Sequence, residues 1–122
     1  MSAPLSPGLR HLISTAVGPE HTPAHLAPVV VLSTPEMIRL MEEACTEAVQ
    51  PMLEENQTTV GTHVDVSHES AARGGEVVEV EAELTAVDGA RLAFRVEARV
   101  GDRIIGRGIH RRHVIDMSRF AG

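Results

Sequence analysis

Between positions 33 and 51 the apolar residues recur with the 3.6-residue period of an α-helix. Residues three or four positions apart lie on the same face of a helix, and charged or amide residues occupy the opposite face here. The apolar face consists of Met37, Leu40, Met41, Ala44, Cys45 and Ala48. Ser33 or Thr34 can cap the start, Pro35 suits the first turn, and Pro51 ends the pattern. The sequence therefore predicts one long amphipathic helix over residues 34–52.

After residue 58 the period changes to two, which is the period of β-strands. Strand-like runs cover residues 59–70, 76–87, 91–100 and 103–117, and glycine-containing turns separate them. In the 76–87 and 91–100 runs, apolar residues alternate with glutamates and arginines, so each strand has one apolar and one charged face. Placing both apolar sets on one side requires a hairpin loop of odd length at 88–90 or a bulge. A long helix followed by antiparallel strands over residues 59–117 predicts an α+β fold.

The length of the chain suits a single domain with one core, which we predict to span residues 1–122. Its first 30 residues contain an apolar run at 9–17, a candidate first strand, and a loop at 18–28. Hydrophobic residues make up 43% of the chain, yet Phe94 and Phe120 are its only aromatic residues. The core must therefore be built from aliphatic side chains and methionine.

The charge pattern and the single cysteine argue against several classes of function. A formal charge of -6 without a basic run argues against nucleic-acid binding, which needs clustered Lys or Arg. Cys45 is the only cysteine, so a disulfide framework is excluded and the reducing cytoplasm is the expected location. We expect no membrane association, because the chain has no stretch of about 18 apolar residues and no signal-peptide pattern.

Glu42 is the residue that most invites a chemical role, because it lies at the edge of the apolar face of the predicted helix. His68 alternates onto the same face of its strand as Val60, Val64 and Val66, and this face is expected to pack on the helix. Two titratable groups directed into a partly dry layer are typical of a functional site. The competing interpretations are a Glu42 whose methylenes cover apolar surface and a structural His68.

Five short motifs stand in a fixed order between residues 31 and 120. They are Ser33-Thr34-Pro35-Glu36-Met37, Leu40-Met41-Glu42-Glu43-Ala44-Cys45, Val60-Gly61-Thr62, Val66-Ser67-His68 and Gly108-Ile109-His110-Arg111-Arg112. In order and spacing they resemble the fluoroacetyl-CoA thioesterase group of the hotdog-fold thioesterases. The resemblance implies a hotdog fold, in which an antiparallel β-sheet wraps one long central helix.

The resemblance also implies a reaction and a site. The threonine, the glutamate eight residues later and the strand histidine that are catalytic in the family fall on Thr34, Glu42 and His68. The family's strand glycine and the arginine after its Gly-x-His motif fall on Gly61 and Arg112, which are then substrate-binding residues. The implied reaction is hydrolysis of an acyl-CoA thioester at the interface of a homodimer, or of a higher homo-oligomer.

The resemblance gives each of these residues an expected role that suits its chemistry. Glu42 either attacks the thioester carbonyl or acts as general base for water. His68 orients or deprotonates that water and protonates the leaving thiolate, while Thr34 donates a hydrogen bond to the carboxylate or the acyl group. Gly61 lets the thioester approach the backbone, and Arg112 contacts a CoA phosphate or holds an interface. The alternatives are that Thr34 is only a helix cap and Gly61 only a bulge glycine.

The last strand raises two further questions. Gly106 and Gly108 alternate with His110 and Arg112, which indicates either close packing against the helix or a channel for the pantetheine arm. His110 and His113 fall on opposite faces of the strand and no cysteine lies near them, so we predict no metal site. We expect no cofactor besides the CoA thioester, which is the substrate.

The segment before Thr34 departs from the family pattern. Fluoroacetyl-specific enzymes resemble one another in an aromatic-bearing lid there, whereas residues 25–32 of this chain contain no aromatic. We therefore predict a general short- or medium-chain acyl-CoA thioesterase. The alternatives are a hotdog module that binds acyl-CoA without turnover and, with less support from the motifs, a hotdog dehydratase.

Overall fold

The structure, a computed structural model, describes residues 4–120, and the first three and last two residues of the predicted domain lie outside this range. Its long helix, α1, covers Thr34–Val49. The Ser33 hydroxyl caps α1 by accepting a hydrogen bond from the Glu36 amide. A 3₁₀ turn at Gln50–Met52 follows and contains the proline that was predicted to end the helix. The six apolar positions predicted for the inner face of the helix are all buried.

Five strands form one antiparallel sheet, and α1 packs on it. They are β1 (Arg10–Ala16), β2 (Gln57–His68), β3 (Val77–Asp88), β4 (Arg91–Val100) and β5 (Arg103–Asp116). Their order across the sheet is β1-β3-β4-β5-β2, and a short helix, α2 (Met117–Phe120), follows β5. One long helix on an antiparallel sheet is the α+β architecture that the sequence predicted.

The β3–β4 hairpin shows how the sheet keeps one apolar face. Asp88 pairs with Arg91 across a two-residue turn, which alone would place the apolar residues of the two strands on opposite faces. A register shift between Leu84 and Ala86 corrects this, so Leu84 lies opposite Phe94 and both are buried. Of the two predicted solutions, the structure has the bulge, and it lies within β3 rather than at the turn.

Strand β2 forms one edge of the sheet, with β5 as its neighbour. Residues 61–65 on this strand are exposed, and Val64 among them is 42% exposed. An edge strand presents backbone N–H and C=O groups that no neighbouring strand within the chain pairs. The same edge carries two of the predicted site residues, Gly61 and His68.

The connection from β1 to α1 folds over the start of the helix. It contains two 3₁₀ turns, Pro19–His21 and Ala24–Leu26. The Ser33 amide donates to the His21 carbonyl at 2.8 Å, which ties this connection to the helix start. Across residues 4–120, no helix combines the length and apolar character needed to cross a membrane.

Candidate active site

Thr34 and His68 meet where the start of α1 passes the end of β2. Thr34 Oγ1 and His68 Nδ1 are 2.7 Å apart and share a hydrogen bond. The Thr34 hydroxyl can make this bond because Ser33, and not Thr34, caps the helix. Thr34 is exposed and His68 is half-buried, so solvent and small molecules can reach the pair.

An open cavity of about 600 Å³ lies at this hydroxyl–imidazole pair. One wall is the connection before α1, with His25, Leu26 and Val31, and another is the chain that continues from β2. Binding sites of this size hold small organic ligands and cofactor fragments. An aliphatic wall beside a hydroxyl and an imidazole suits a ligand with an alkyl part and a reactive polar group.

Glu42 lies about two turns further along α1, about 12 Å from Thr34 at 1.5 Å per residue. It is half-buried, and within residues 4–120 no hydrogen bond or ion pair holds its carboxylate. Burial lowers the pKa of both Arg112 and His110, and the nearby Glu42 carboxylate opposes that effect. Within one chain, therefore, Glu42 lies beside groups of β5 and is separated from the Thr34–His68 pair.

Arg112 is held inside the protein by β2 and by its own strand. Its guanidinium donates from Nε to the Thr59 hydroxyl at 2.7 Å and from Nη2 to the Thr59 carbonyl at 2.9 Å. Nη1 is 3.0 Å from Nε2 of His110. Arg112 is 7% exposed, Thr59 5% and His110 1%. The guanidinium is thus a fixed internal charge, whereas a CoA phosphate would require it at the surface.

Gly61 lies opposite Arg112 in the β2–β5 pairing, directly before a bulge. A Cβ at this position would be 3.2 Å from Cε1 of His110 and 3.4 Å from Nη1 of Arg112. The bulge proposed for this glycine is present, and the missing side chain has a second consequence, because it leaves room for the buried His110–Arg112 pair.

Thr59 and His110 belong to this cluster although the sequence did not single them out for it. Both occupy inner-face positions, where aliphatic residues are the rule. Strand alternation placed His110 there, but it placed Val60 rather than Thr59 on the inner face, because the bulge after Gly61 shifts the register of β2. On the helix side Cys45 lies close by, and burial raises the pKa of its thiol to about 12. Cys45 is therefore an uncharged, buried group, as the sequence predicted.

The model of the fluoroacetyl-CoA-specific thioesterase family matches residues 17–118, most of the chain. The chain belongs to this family. Among characterised relatives of this thioesterase, the fluoroacetyl-CoA thioesterase of Streptantibioticus cattleyicolor is 39% identical over 121 residues. The match covers 93% of this chain and 87% of that protein.

Solved structures show the same fold. A structure of the fluoroacetyl-CoA thioesterase matches with a TM-score of 0.90 at 37% identity, over 98% of this chain and 94% of that one. Variants of that enzyme have been solved with fluoroacetate and CoA (TM-score 0.87) and with acetyl-CoA (TM-score 0.88). A hot-dog-like protein from Thermanaerovibrio acidaminovorans, 19% identical, has a TM-score of 0.86 over 94% of this chain and 87% of its own, and shows the fold alone.

These comparisons confirm three of the predictions made from the sequence. They are the fluoroacetyl-CoA thioesterase-like family, the hotdog fold and the enzyme class, a thioester hydrolase. The family membership places acyl-CoA thioester chemistry on a fold whose helix start and edge strand carry the hydroxyl–imidazole pair.

Proposed function

We propose that this protein hydrolyses short- or medium-chain acyl-CoA thioesters to the free acid and CoA. The observation that best supports this is the Thr34–His68 pair, 2.7 Å apart, on the wall of the 600 Å³ cavity. A thioester carbonyl at this pair would have a hydrogen-bonding hydroxyl and a group able to transfer a proton within reach. The reaction needs no metal or cofactor, and its proposed location is the cytoplasm, where the lone Cys45 stays reduced.

Glu42 supplies the remaining chemistry. Its carboxylate either activates a water for attack on the carbonyl carbon or attacks directly, giving an anhydride that water then opens. In both routes the C–S bond breaks, the electron pair leaves with sulfur, and His68 delivers a proton to the CoA thiolate. In the described part of the chain no hydrogen bond holds the half-buried Glu42 carboxylate, so it can turn to a water or a substrate.

A second copy of the chain would close the gap of about 12 Å between Glu42 and the Thr34–His68 pair. The hydrogen bond at 2.7 Å already fixes two members of the predicted set at the start of α1, and Glu42 lies on the far half of the same rigid helix. No rotation of a side chain spans that distance. The exposed edge of β2, which can pair with its own copy, supports a homodimer.

A two-fold axis that crosses β2 midway between Gly61 and His68 would set His68 of one subunit opposite Gly61 of the other. Gly61 lies beside Arg112. Within the same chain the charge of the Glu42 carboxylate raises the pKa of Arg112 and so opposes the effect of burial. Each of the two active sites would then combine Thr34 and His68 from one subunit with Glu42 from the other.

The acyl preference should follow from the cavity wall. Leu26 and Val31 line the cavity, and the connection over residues 25–32 has no aromatic side chain. Aliphatic walls bind alkyl chains through apolar contact, but they lack the positive ring edges that could single out a fluorine substituent. We therefore propose broad activity on short and medium acyl groups rather than selectivity for fluoroacetyl-CoA.

Thiol release from a panel of acyl-CoAs, from acetyl and fluoroacetyl to octanoyl, tests this function. Glu42→Gln keeps the shape of the side chain but removes the base or nucleophile, so turnover should fall by about 10²- to 10⁴-fold. Glu43→Gln is the matched control, because Glu43 is exposed and pairs with Arg39 at 3.1 Å on the outer side of α1. It should keep the turnover of the wild type.

Three outcomes would contradict parts of this assignment. Full turnover in Glu42→Gln would remove Glu42 from the mechanism. Binding of acyl-CoA by the wild-type protein without any release of thiol would show instead a hotdog module that binds acyl-CoA without turnover. A preference for fluoroacetyl-CoA over acetyl-CoA above about tenfold would overturn the broad acyl range and leave the thioesterase activity intact.

A further inference from the structure

His110 is almost completely enclosed, and the reaction described above does not use it. Its Nδ1 is 2.8 Å from the His63 carbonyl oxygen, and its Nε2 is 3.0 Å from Nη1 of Arg112. A carbonyl oxygen can only accept a hydrogen bond, and a guanidinium can only donate one. Nδ1 must therefore carry the proton and Nε2 must be the acceptor. His110 is a neutral imidazole, and both of its nitrogens are occupied.

The surroundings of the ring favour this neutral form. Burial has the largest effect and lowers the pKa of His110, and the charge of Arg112 lowers it further. The bond to the His63 carbonyl and the Glu42 carboxylate act in the opposite direction without reversing the shift. The ring therefore faces Glu42 from α1, His63 from β2 and Arg112 from β5.

We propose that His110 is a positioning residue of the thioesterase that holds the Arg112 guanidinium as a stationary positive charge beside Glu42. This proposal rests on the proposed function. Its Nε2 fixes one N–H of the guanidinium, and its Nδ1–H ties the ring to strand β2. Thr59 occupies two further N–H groups of Arg112.

With three N–H groups engaged, one N–H on each terminal nitrogen of Arg112 is left. In the proposed enzyme these two donors are available to the Glu42 carboxylate, to a water or to a thioester oxygen. Donors that are fixed before the reaction stabilise developing charge without a cost for reorganisation. By holding the Arg112 guanidinium rigid, His110 lowers that cost in the transition state. Without the acceptor on His110, Nη1 would be a buried donor that no longer has its partner, and the guanidinium would shift.

Two amide variants separate the two hydrogen bonds of His110. Asparagine keeps a donor near the Nδ1 position and removes the Nε2 acceptor, whereas glutamine can place its carbonyl oxygen near Nε2. His110→Asn should lower kcat by about 10- to 100-fold and change KM by less than about threefold. His110→Gln should restore most of kcat.

His113→Asn is the matched control, because His113 lies on the other face of β5 and should behave as the wild type. Equal losses of kcat in the Asn and Gln variants would overturn the positioning role. An absence of turnover in the wild type would be a failure of the proposed function instead.

A ¹⁵N NMR spectrum of the histidine-labelled wild-type protein tests the tautomer without any variant and without turnover. The expected spectrum shows His110 protonated at Nδ1 and unprotonated at Nε2, and mainly in this neutral form even at about pH 6.5, where an ordinary imidazole is half protonated, because burial lowers the pKa of His110. A proton on Nε2, or a charged ring at neutral pH, would overturn the inference even in an active enzyme.

Discussion

At the residue scale, neighbouring hydroxyls at the start of α1 divide two tasks. Ser33 accepts the hydrogen bond of the Glu36 amide, and Thr34 bonds to His68. The sequence could not make this division, because either hydroxyl can precede a first-turn proline as the cap. Only the position of β2 relative to the helix decides it, and that position is set by contacts far apart in the chain.

Substitution of the two hydroxyls should therefore give opposite results. Ser33→Ala should lower the free energy of unfolding by about 1 kcal/mol through loss of the cap, with kcat within about threefold of the wild type. Thr34→Val keeps the shape of the side chain and removes the hydroxyl, so kcat should fall by about 10- to 100-fold with a smaller loss of stability. Urea titrations and thiol-release assays measure the two effects. A Thr34→Val enzyme with normal kcat would show that the Thr34–His68 bond has no part in turnover.

Also at the residue scale, Thr59 and His110 could not be assigned to the cluster around Arg112 from the sequence. His110 could be placed on the face of Arg112 by alternation, but its partners cannot be read from one strand. The His63 carbonyl comes from β2, and the carbonyl becomes available at a bulge that follows Gly61. A register shift of this kind depends on packing between strands and leaves only a glycine as its trace in the sequence.

At the element scale, the spacing between α1, β5 and the end of β2 depends on glycines of β5. A Cβ at Gly106 would overlap the Met37 sulfur and the Ser67 carbonyl oxygen, and a Cβ at Gly108 would overlap the Asp65 carbonyl oxygen. Of the two predicted explanations, close packing against the helix holds for Gly106, whereas Gly108 packs closely against strand β2. Alternation of glycines along the strand predicted the face, but only the assembled sheet shows what fills the space.

Gly106→Ala tests this spacing. The added methyl must displace Met37 on the helix or the backbone of Ser67, which directly precedes His68. Overpacking of this kind should lower the free energy of unfolding by about 1 to 3 kcal/mol. The shift of the β2 backbone should also lower kcat, because the Thr34–His68 bond spans the same gap. Thermal unfolding and thiol release measure both quantities.

A glycine in the turn between β4 and β5 provides the control for that variant. Gly101 has a φ of +57° and open space around its Cβ position. Asparagine tolerates this left-handed conformation, so Gly101→Asn should change the free energy of unfolding by less than about 1 kcal/mol and leave kcat unchanged. A Gly106→Ala protein as stable and active as Gly101→Asn would show that close packing at Gly106 does not set the position of His68.

At the scale of the whole molecule, the sequence predicted the fold better than the assembly of the site. The periodicity of α1 and the alternation of β3 and β4 follow from burial on one face, which is a local signal. Thr34, Glu42 and His68 were expected to form one set, yet Glu42 lies eight positions after Thr34, which is about 12 Å along the helix. A single chain leaves them apart, and the sequence of one chain carries no direct signal for what its copy contributes.

Mixed dimers decide whether the two halves of the site come from different subunits. In a dimer of one His68→Ala subunit and one Glu42→Gln subunit, one site would contain both substitutions and the other neither. Equal mixing makes half of the dimers mixed, so activity should recover to about a quarter of the wild type, although each variant alone is inactive. If each subunit instead carried its own complete site, both sites of a mixed dimer would be damaged, and mixing would restore nothing. Light scattering on the same samples must show a dimer, because a strict monomer would contradict the shared site before any assay.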